Sequence, residues 1–167
     1  LMIKLCVEGW RKINHSYAIV NQNQLIELSK LPIHLRHKDI TYGNQNWNEV
    51  KNFNGFSDYD NNIIDSIKTP LLDEVFDITF RISFPYNYEK STSEKLFVYG
   101  TAEYQNIENH YKNTIKKEKI LNNQLKIITP SNWSKEGFTK FGFRDDQVFV
   151  MPNGVDKKIF YFIEKHK

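Results

Sequence analysis

Residues 127–156 read IITPSNWSKEGFTKFGFRDDQVFVMPNGVD, and their order of residue types spells a strand, a capped helix, a second strand and a tight turn. The run LKIIT at 125–129 is apolar and β-branched, as a buried strand requires. Pro130 stops it, and Ser131 offers its hydroxyl as an N-cap, though the same helix N-terminus could hold an anion. The helix then runs through Phe141 to Gly142 at the C′ position, with Trp133 expected to pack beneath it, and QVFVM at 147–151 forms the next strand. A βαβ crossover demands a parallel pair with the helix lying on one face of the sheet.

The same alternation extends toward the N-terminus. MIKLCV at 2–7 is a first strand, and YAIVNQNQLIELSK at 17–30 has helical spacing with Ser16 placed to cap it. IHLRH at 33–37 alternates as a partly covered second strand, VFDITFRISFP at 75–85 forms a third, and LFVYG at 96–100 a fourth. TAEYQNIENHYKNTI, from Thr101, can continue as a helix capped by that threonine. Residues 41–62 are rich in Asn, Asp and Gly and predict irregular surface structure or an insertion. The expectation is an α/β, Rossmann-like three-layer parallel sheet in one domain.

Composition narrows the function classes. The 167 residues are 40% apolar and 26% charged, enough for one soluble core, and no window approaches the roughly 20 apolar residues of a membrane helix. The net charge of +3 comes from 23 basic and 20 acidic residues spread along the chain, which does not point to nucleic acid. KNTIKKEKI at 112–120 is the densest basic run and reads as a solvated helix face. The lone Cys6 and the absence of a leader-like N-terminus fit a reducing, cytoplasmic compartment. No G-x-G-x-x-G, P-loop, H-E-x-x-H or G-x-S-x-G occurs. His34, His37 and His110 form no ligand set and read as surface or strand-flanking residues, and no carboxylate cluster implies a metal.

Ligands of open α/β sheets bind outside the carboxyl ends of the strands, so the loops there supply the candidate residues. After the first strand, EGWRKINHS brings Glu8, Arg11, His15 and Ser16 into one loop, with Gly9 free to adopt an unusual backbone angle. His15 is the one candidate for proton chemistry, since imidazole exchanges protons near neutral pH, with positioning as its alternative role. Arg81 lies among residues that read as buried strand, so it is either an ion-pair anchor or a substrate contact. Glu103 in the first turn after the fourth strand either meets a helix dipole or serves the site.

With these residues laid out, the chain resembles the amino-terminal domain of GT-B fold glycosyltransferases of the glycosyl transferase family 4 (group 1) type. The likeness is carried by EGWRKINHSYAIVNQNQLIEL at 8–28, FDITFRISFPYN at 76–87, VYGTAEYQ at 98–105, IITPSNWSKEGFTKFGF at 127–143 and VFVMPNGVDKKIF at 148–160. Its most specific part is a serine-capped helix opening S-x-W-S, followed by a strand that closes in P-N-G-V-D.

The resemblance implies residues 1–156 as the acceptor-side Rossmann-like domain, residues 157–167 as the start of an interdomain linker, and a carboxyl-terminal donor-binding domain that is absent. It implies transfer of a sugar from a nucleotide-diphosphate sugar to a hydroxyl of a glycan, lipid or protein acceptor, with retention. The nucleotide sugar is a co-substrate, with no cofactor and no metal, and the place is cytoplasmic or peripheral at the inner membrane face.

The family's spaced glutamate pair and diphosphate-gripping basic residues belong to the absent half. A truncated or split enzyme is therefore expected, with a separately encoded carboxyl-terminal domain as partner. The alternatives are a noncatalytic glycan-binding or docking module that exposes Ile159, Phe160, Tyr161, Phe162 and Ile163, or the remnant of a degraded gene. The first loop departs from the family's glycine-rich pattern, with one glycine, Gly9, which favours Arg11 and His15 as side-chain contacts to the acceptor.

Overall fold

A computed structural model describes residues 2–42, 46, 47, 49, 55–105, 107, 122–155 and 163. Its strands are β1 (Lys4–Gly9), β2 (His34–Asp39), β3 (Ile78–Ile82), β4 (Lys95–Tyr99), β5 (Leu125–Thr129) and β6 (Val148–Val150). Three α-helices accompany them among the described residues: α1 (Ser16–Leu28), α2 (Asp58–Ser66) and α3 (Asn132–Phe141). All six strands pair in parallel in the order β2-β1-β3-β4-β5-β6, which is the α/β Rossmann-like sheet expected.

Side-chain alternation assigns the two outer layers. Val7 and Gly9 of β1 share a face with Tyr99 of β4, and α1 covers it, with Asn21 against Gly9 and Tyr17 edge-on to Tyr99 at 5.7 Å. Val98 and Gly100 point the other way, toward Phe138 of α3. Val7, Leu25, Ile82, Val98, Ile127 and Phe138 are almost completely buried between these layers. Cys6 is buried in β1, and burial pushes its thiol up to about 12, so it remains an unreactive filler.

Two sequence expectations about helices are corrected. Residues 58–62, expected to be irregular, open α2, because Ser57 and Asp60 form a reciprocal capping box. Residues 103–105, expected to be helical with Thr101 as cap, form a turn closed by Gln105 N–H donating to the Ala102 carbonyl at 3.0 Å. The rest of that expected helix apart from the buried Ile107, the basic run at 112–120, His110 and the apolar tail apart from Ile163 lie outside the described residues.

At the other end of the sequence the expectations about α3 meet the structure closely. The Ser131 hydroxyl accepts from the Ser134 N–H at 3.2 Å, and Gly142 stops the helix with φ at 122°. Trp133 differs: it is 58% exposed rather than packed beneath the helix, and its indole N–H donates to the Glu103 carbonyl at 3.3 Å.

The approach of α3 to the loop after β4 requires glycine. A Cβ on Gly137 would stand 2.5 Å from the Ala102 Cβ and 3.0 Å from the Gln105 Cα. Gly137→Ala is expected to lower stability in urea titration, because overpacking of about 1–3 kcal/mol exceeds the roughly 1 kcal/mol of helix propensity gained. A raised midpoint would mean that the helix and loop stand farther apart.

Candidate functional site

The strand order fixes where a ligand would sit. From β1 the chain goes outward to β2 and then crosses back to β3 on the far side, so the order reverses between β1 and β3, where a crevice opens at the carboxyl ends. A cleft of about 610 Å³ occurs there, lined by Glu8, Trp10, Lys38, Arg81, Phe84 and Tyr86 among others. A second hollow of about 240 Å³ adjoins it, between the start of α1 and the loop after β4, with His15, Tyr17, Thr101 and Glu103 in its walls. Phe84 and Tyr86 line both.

Arg81 and Glu8 meet at the floor of the larger cleft. Arg81 Nε donates to Glu8 Oε2 at 2.6 Å, and the two side chains are only 8% and 13% exposed. Arg81 Nη1 also donates to the carbonyls of Asn87 at 2.8 Å and Glu89 at 2.9 Å. The guanidinium therefore neutralises a nearly buried carboxylate and ties down the loop that carries Phe84 and Tyr86. Lys38 Nζ stands 3.9 Å from the other Glu8 oxygen.

The loop after β1 is pinned residue by residue. Arg11 turns away from both clefts, donating to Asp39 through Nε at 2.8 Å and Nη2 at 2.5 Å, and to the Ile64 carbonyl of α2 at 3.2 Å. Burial raises the Asp39 carboxyl, but this guanidinium outweighs it and leaves the group below its ordinary value. Arg11 thus lines a third hollow with Lys12 and Tyr42, which shares Asp39, Ile40 and Thr41 with the larger cleft and none of its lining with the smaller one. Lys12 holds a left-handed backbone, φ 59°, with its N–H on Gln22 Oε1 and its ammonium on Asp65 at 2.8 Å and Glu49 at 3.4 Å. Strain of this kind persists only where neighbours over-determine it.

His15, not Ser16, is the N-cap of α1, because its Nδ1 accepts the Tyr17 N–H at 3.1 Å. Ser16 occupies the first helical position and lines the smaller hollow. In the neutral ring the proton then sits on Nε2, leaving a donor rather than a base. The ring packs against Trp10 and Trp47, both at 5.0 Å, and burial lowers its pKa below 6.5. These contacts give His15 a positioning role.

Sequence reasoning missed a hydroxyl cluster formed by Tyr17, Tyr86 and Thr101. Tyr86 Oη donates to the Thr101 carbonyl at 2.6 Å and accepts the Thr101 N–H at 2.8 Å. Tyr17 Oη lies 3.1 Å from Tyr86 Oη and 3.0 Å from Thr101 Oγ1. Burial holds the Tyr17 phenol protonated by raising its pKa. Thr101 Oγ1 faces Glu103 Oε1 at 3.4 Å. FPYN after β3 was the one sequence signal for this cluster, since it puts a tyrosine hydroxyl in a loop at a strand's carboxyl end, where ligands of open α/β sheets bind.

Ser131 lines neither cleft and serves α3 as its cap. Its neighbour Ser134 is 2% exposed, accepts the Ala102 N–H at 2.7 Å and bonds the Thr129 hydroxyl, locking the loop after β4 to the end of β5. The Asn153 side chain, just past β6, bonds Tyr99 Oη, with contacts at 3.1 and 3.2 Å, so the described chain after β6 is anchored at the same mouth.

His37, expected at the surface, is fully buried, its Nε2 accepting from Asn21 Nδ2 at 2.9 Å. His34, the first residue of the edge strand β2, pairs with Glu74 at 2.6 Å.

Among the described residues no group of three His, Cys, Asp or Glu side chains could hold a metal ion, and no helix is long and apolar enough to cross a membrane. In comparisons with known proteins, no family model, curated protein or solved structure matches the chain.

Proposed function

We propose that the chain is the acceptor-side α/β domain of a retaining, cytoplasmic glycosyltransferase, which holds a sugar-bearing glycan, lipid or protein acceptor while a nucleotide-diphosphate sugar is gripped elsewhere. The observation that carries this reading is the pair of adjoining clefts at the carboxyl edge, lined by aromatic faces and hydroxyl groups. Aromatic rings that cover apolar C–H faces, beside a few fixed polar groups, suit a polyhydroxylated ligand. Asn153, just past β6, is tied to Tyr99 at this same mouth.

A division of labour follows from the charges. Among the described basic residues of this edge, Arg81 pairs with Glu8, Arg11 with Asp39, and Lys12 with Asp65 and Glu49, while Lys38 stands near Glu8. Glu8 carries one charge, which Arg81 already matches, so Lys38 alone is left over, whereas a diphosphate calls for several cations that are not already neutralised. The donor grip is accordingly assigned to a second domain, supplied in the same chain or by a partner.

The same pairing favours a second reading, a noncatalytic glycan-binding module, because among the described cations lining this edge Lys38 alone is left to meet a leaving diphosphate. A paired titration tests both. Neutral methyl glycosides are expected to bind, nucleotide-diphosphate sugars to bind no tighter than about 1 mM, and transfer by residues 1–167 alone to be absent. Turnover by the isolated chain would overturn the division of labour. Failure to hold any glycoside would overturn both readings.

A further inference from the structure

Resting on that reading, we propose that the hollow between α1 and the loop after β4 is a subsite for an uncharged sugar ring, with Glu103 acting as a charge filter that excludes acidic sugars. The hollow measures about 240 Å³, a size suited to one ring. Its described lining includes no lysine or arginine, and Glu103 makes no ion pair among the described residues.

Counting protons shows what the walls want from a ligand. Tyr86 spends its proton on the Thr101 carbonyl and takes the Thr101 N–H in return. The Tyr17 proton goes either to Tyr86 or to Thr101 Oγ1. If it goes to Tyr86, Thr101 donates to Tyr17 and keeps open lone pairs. If it goes to Thr101, the threonine proton turns to Glu103. In both arrangements the three hydroxyls spend their protons within the walls, and unused lone pairs remain beside the Glu103 carboxylate.

This wall of Tyr17, Tyr86, Thr101 and Glu103 asks for donors, while the Ser16 and Tyr104 hydroxyls and the His15 N–H belong to the other sides of the hollow. The hydroxyl groups of a neutral sugar supply them, whereas an ionised uronic acid brings a carboxylate that has lone pairs only and a like charge toward Glu103. Specificity of this type is built from a repulsive element rather than from a tighter fit. His15 does not cancel it, because burial keeps the imidazole neutral at physiological pH and its Nδ1 is engaged by the helix cap.

The test is an NMR titration of the 167-residue chain with methyl glycosides of glucose, galactose and mannose, each against its uronate. At least one neutral glycoside is expected to shift resonances of Tyr17, Thr101 and Glu103, with its uronate binding about tenfold more weakly or worse. Glu103→Gln keeps an acceptor for Thr101 while removing the charge, and should bring the two affinities within about twofold.

Because the filter is electrostatic, the wild-type gap should also narrow between low and high salt. That measurement decides the matter if the variant fails to fold. A uronate that binds as well as its neutral parent, or a gap unchanged in both Glu103→Gln and high salt, overturns the filter and leaves the acceptor-domain reading standing. Absence of binding by every neutral and acidic sugar overturns the subsite and that reading together.

Discussion

Arg81→Ala is expected to remove about 3–5 kcal/mol of stability, the range for breaking one side of a buried ion pair. The loss arises because Glu8, only 13% exposed, keeps its carboxylate without the Nε donor, while the carbonyls of Asn87 and Glu89 lose their shared donor. Lys38 cannot replace it, since its ammonium stands 3.9 Å from the carboxylate and is itself 62% exposed. A double variant, Glu8→Leu with Arg81→Met, is expected to regain most of that loss, because an apolar pair of similar volume needs no neutralisation. Urea unfolding of the two variants checks this. A loss below about 1 kcal/mol for Arg81→Ala would show a solvated pair, and would return Arg81 to the role of a substrate contact.

The second large effect is a pH dependence centred on His37. Burial, aided by the nearby Arg11 charge, pushes its pKa from 6.5 down to about 4, with Asp39 opposing in part. The folded imidazole is neutral where the unfolded one already binds a proton, so the unfolded state gains protons first as pH falls. Stability is therefore complete above pH 6.5 and declines toward the folded value near 4, by roughly 2 kcal/mol at pH 5 and about 3 kcal/mol in all.

Other groups face this ring from the packed elements: Asn21 from α1, Arg11 from the loop after β1, and Asp39 from the same strand with an oxygen 3.6 Å from Nδ1. His15 contributes in the same direction through its own lowered pKa. Comparing wild type with His37→Gln isolates the larger group. The variant should show a shallower loss of unfolding free energy between pH 6.5 and 5, and parallel curves would place the sensitivity elsewhere.

The strands were legible in the sequence because β-branched runs such as KIIT and ITF have no competing helical period, and Ser131 was legible as a cap because its bond is local. The Ser57–Asp60 box was equally local, and its S-x-x-D pattern went unread beneath the polar composition around it. Ser16 was preferred to His15 on residue type, whereas the backbone turns one residue earlier and an imidazole nitrogen serves as the acceptor.

What the sequence could not show was pairing across distance. Arg11 finds Asp39 twenty-eight positions away, and Tyr17, Tyr86 and Thr101 meet only after two crossovers have stacked their loops at one mouth. Those meetings redistribute the expected site. Glu8 and Arg81 form its floor, His15, Ser16 and Glu103 its smaller chamber, Arg11 the brace behind it, and Ser131 a helix cap outside it.

Tyr86 does for Thr101 what an adjacent strand would do, filling both its N–H and its C=O with a single phenolic oxygen. The Thr101 backbone is thereby held at full hydrogen-bond satisfaction past the point where the sheet ladder ends, by a side chain that leaves the neighbouring space open. Much of the ordering entropy that a loop-built site would surrender on taking up a ligand has already been surrendered in folding. The mouth is a template rather than a mould, so variation in what it holds would come from exchanging the side chains that stand on it and not from reshaping its frame.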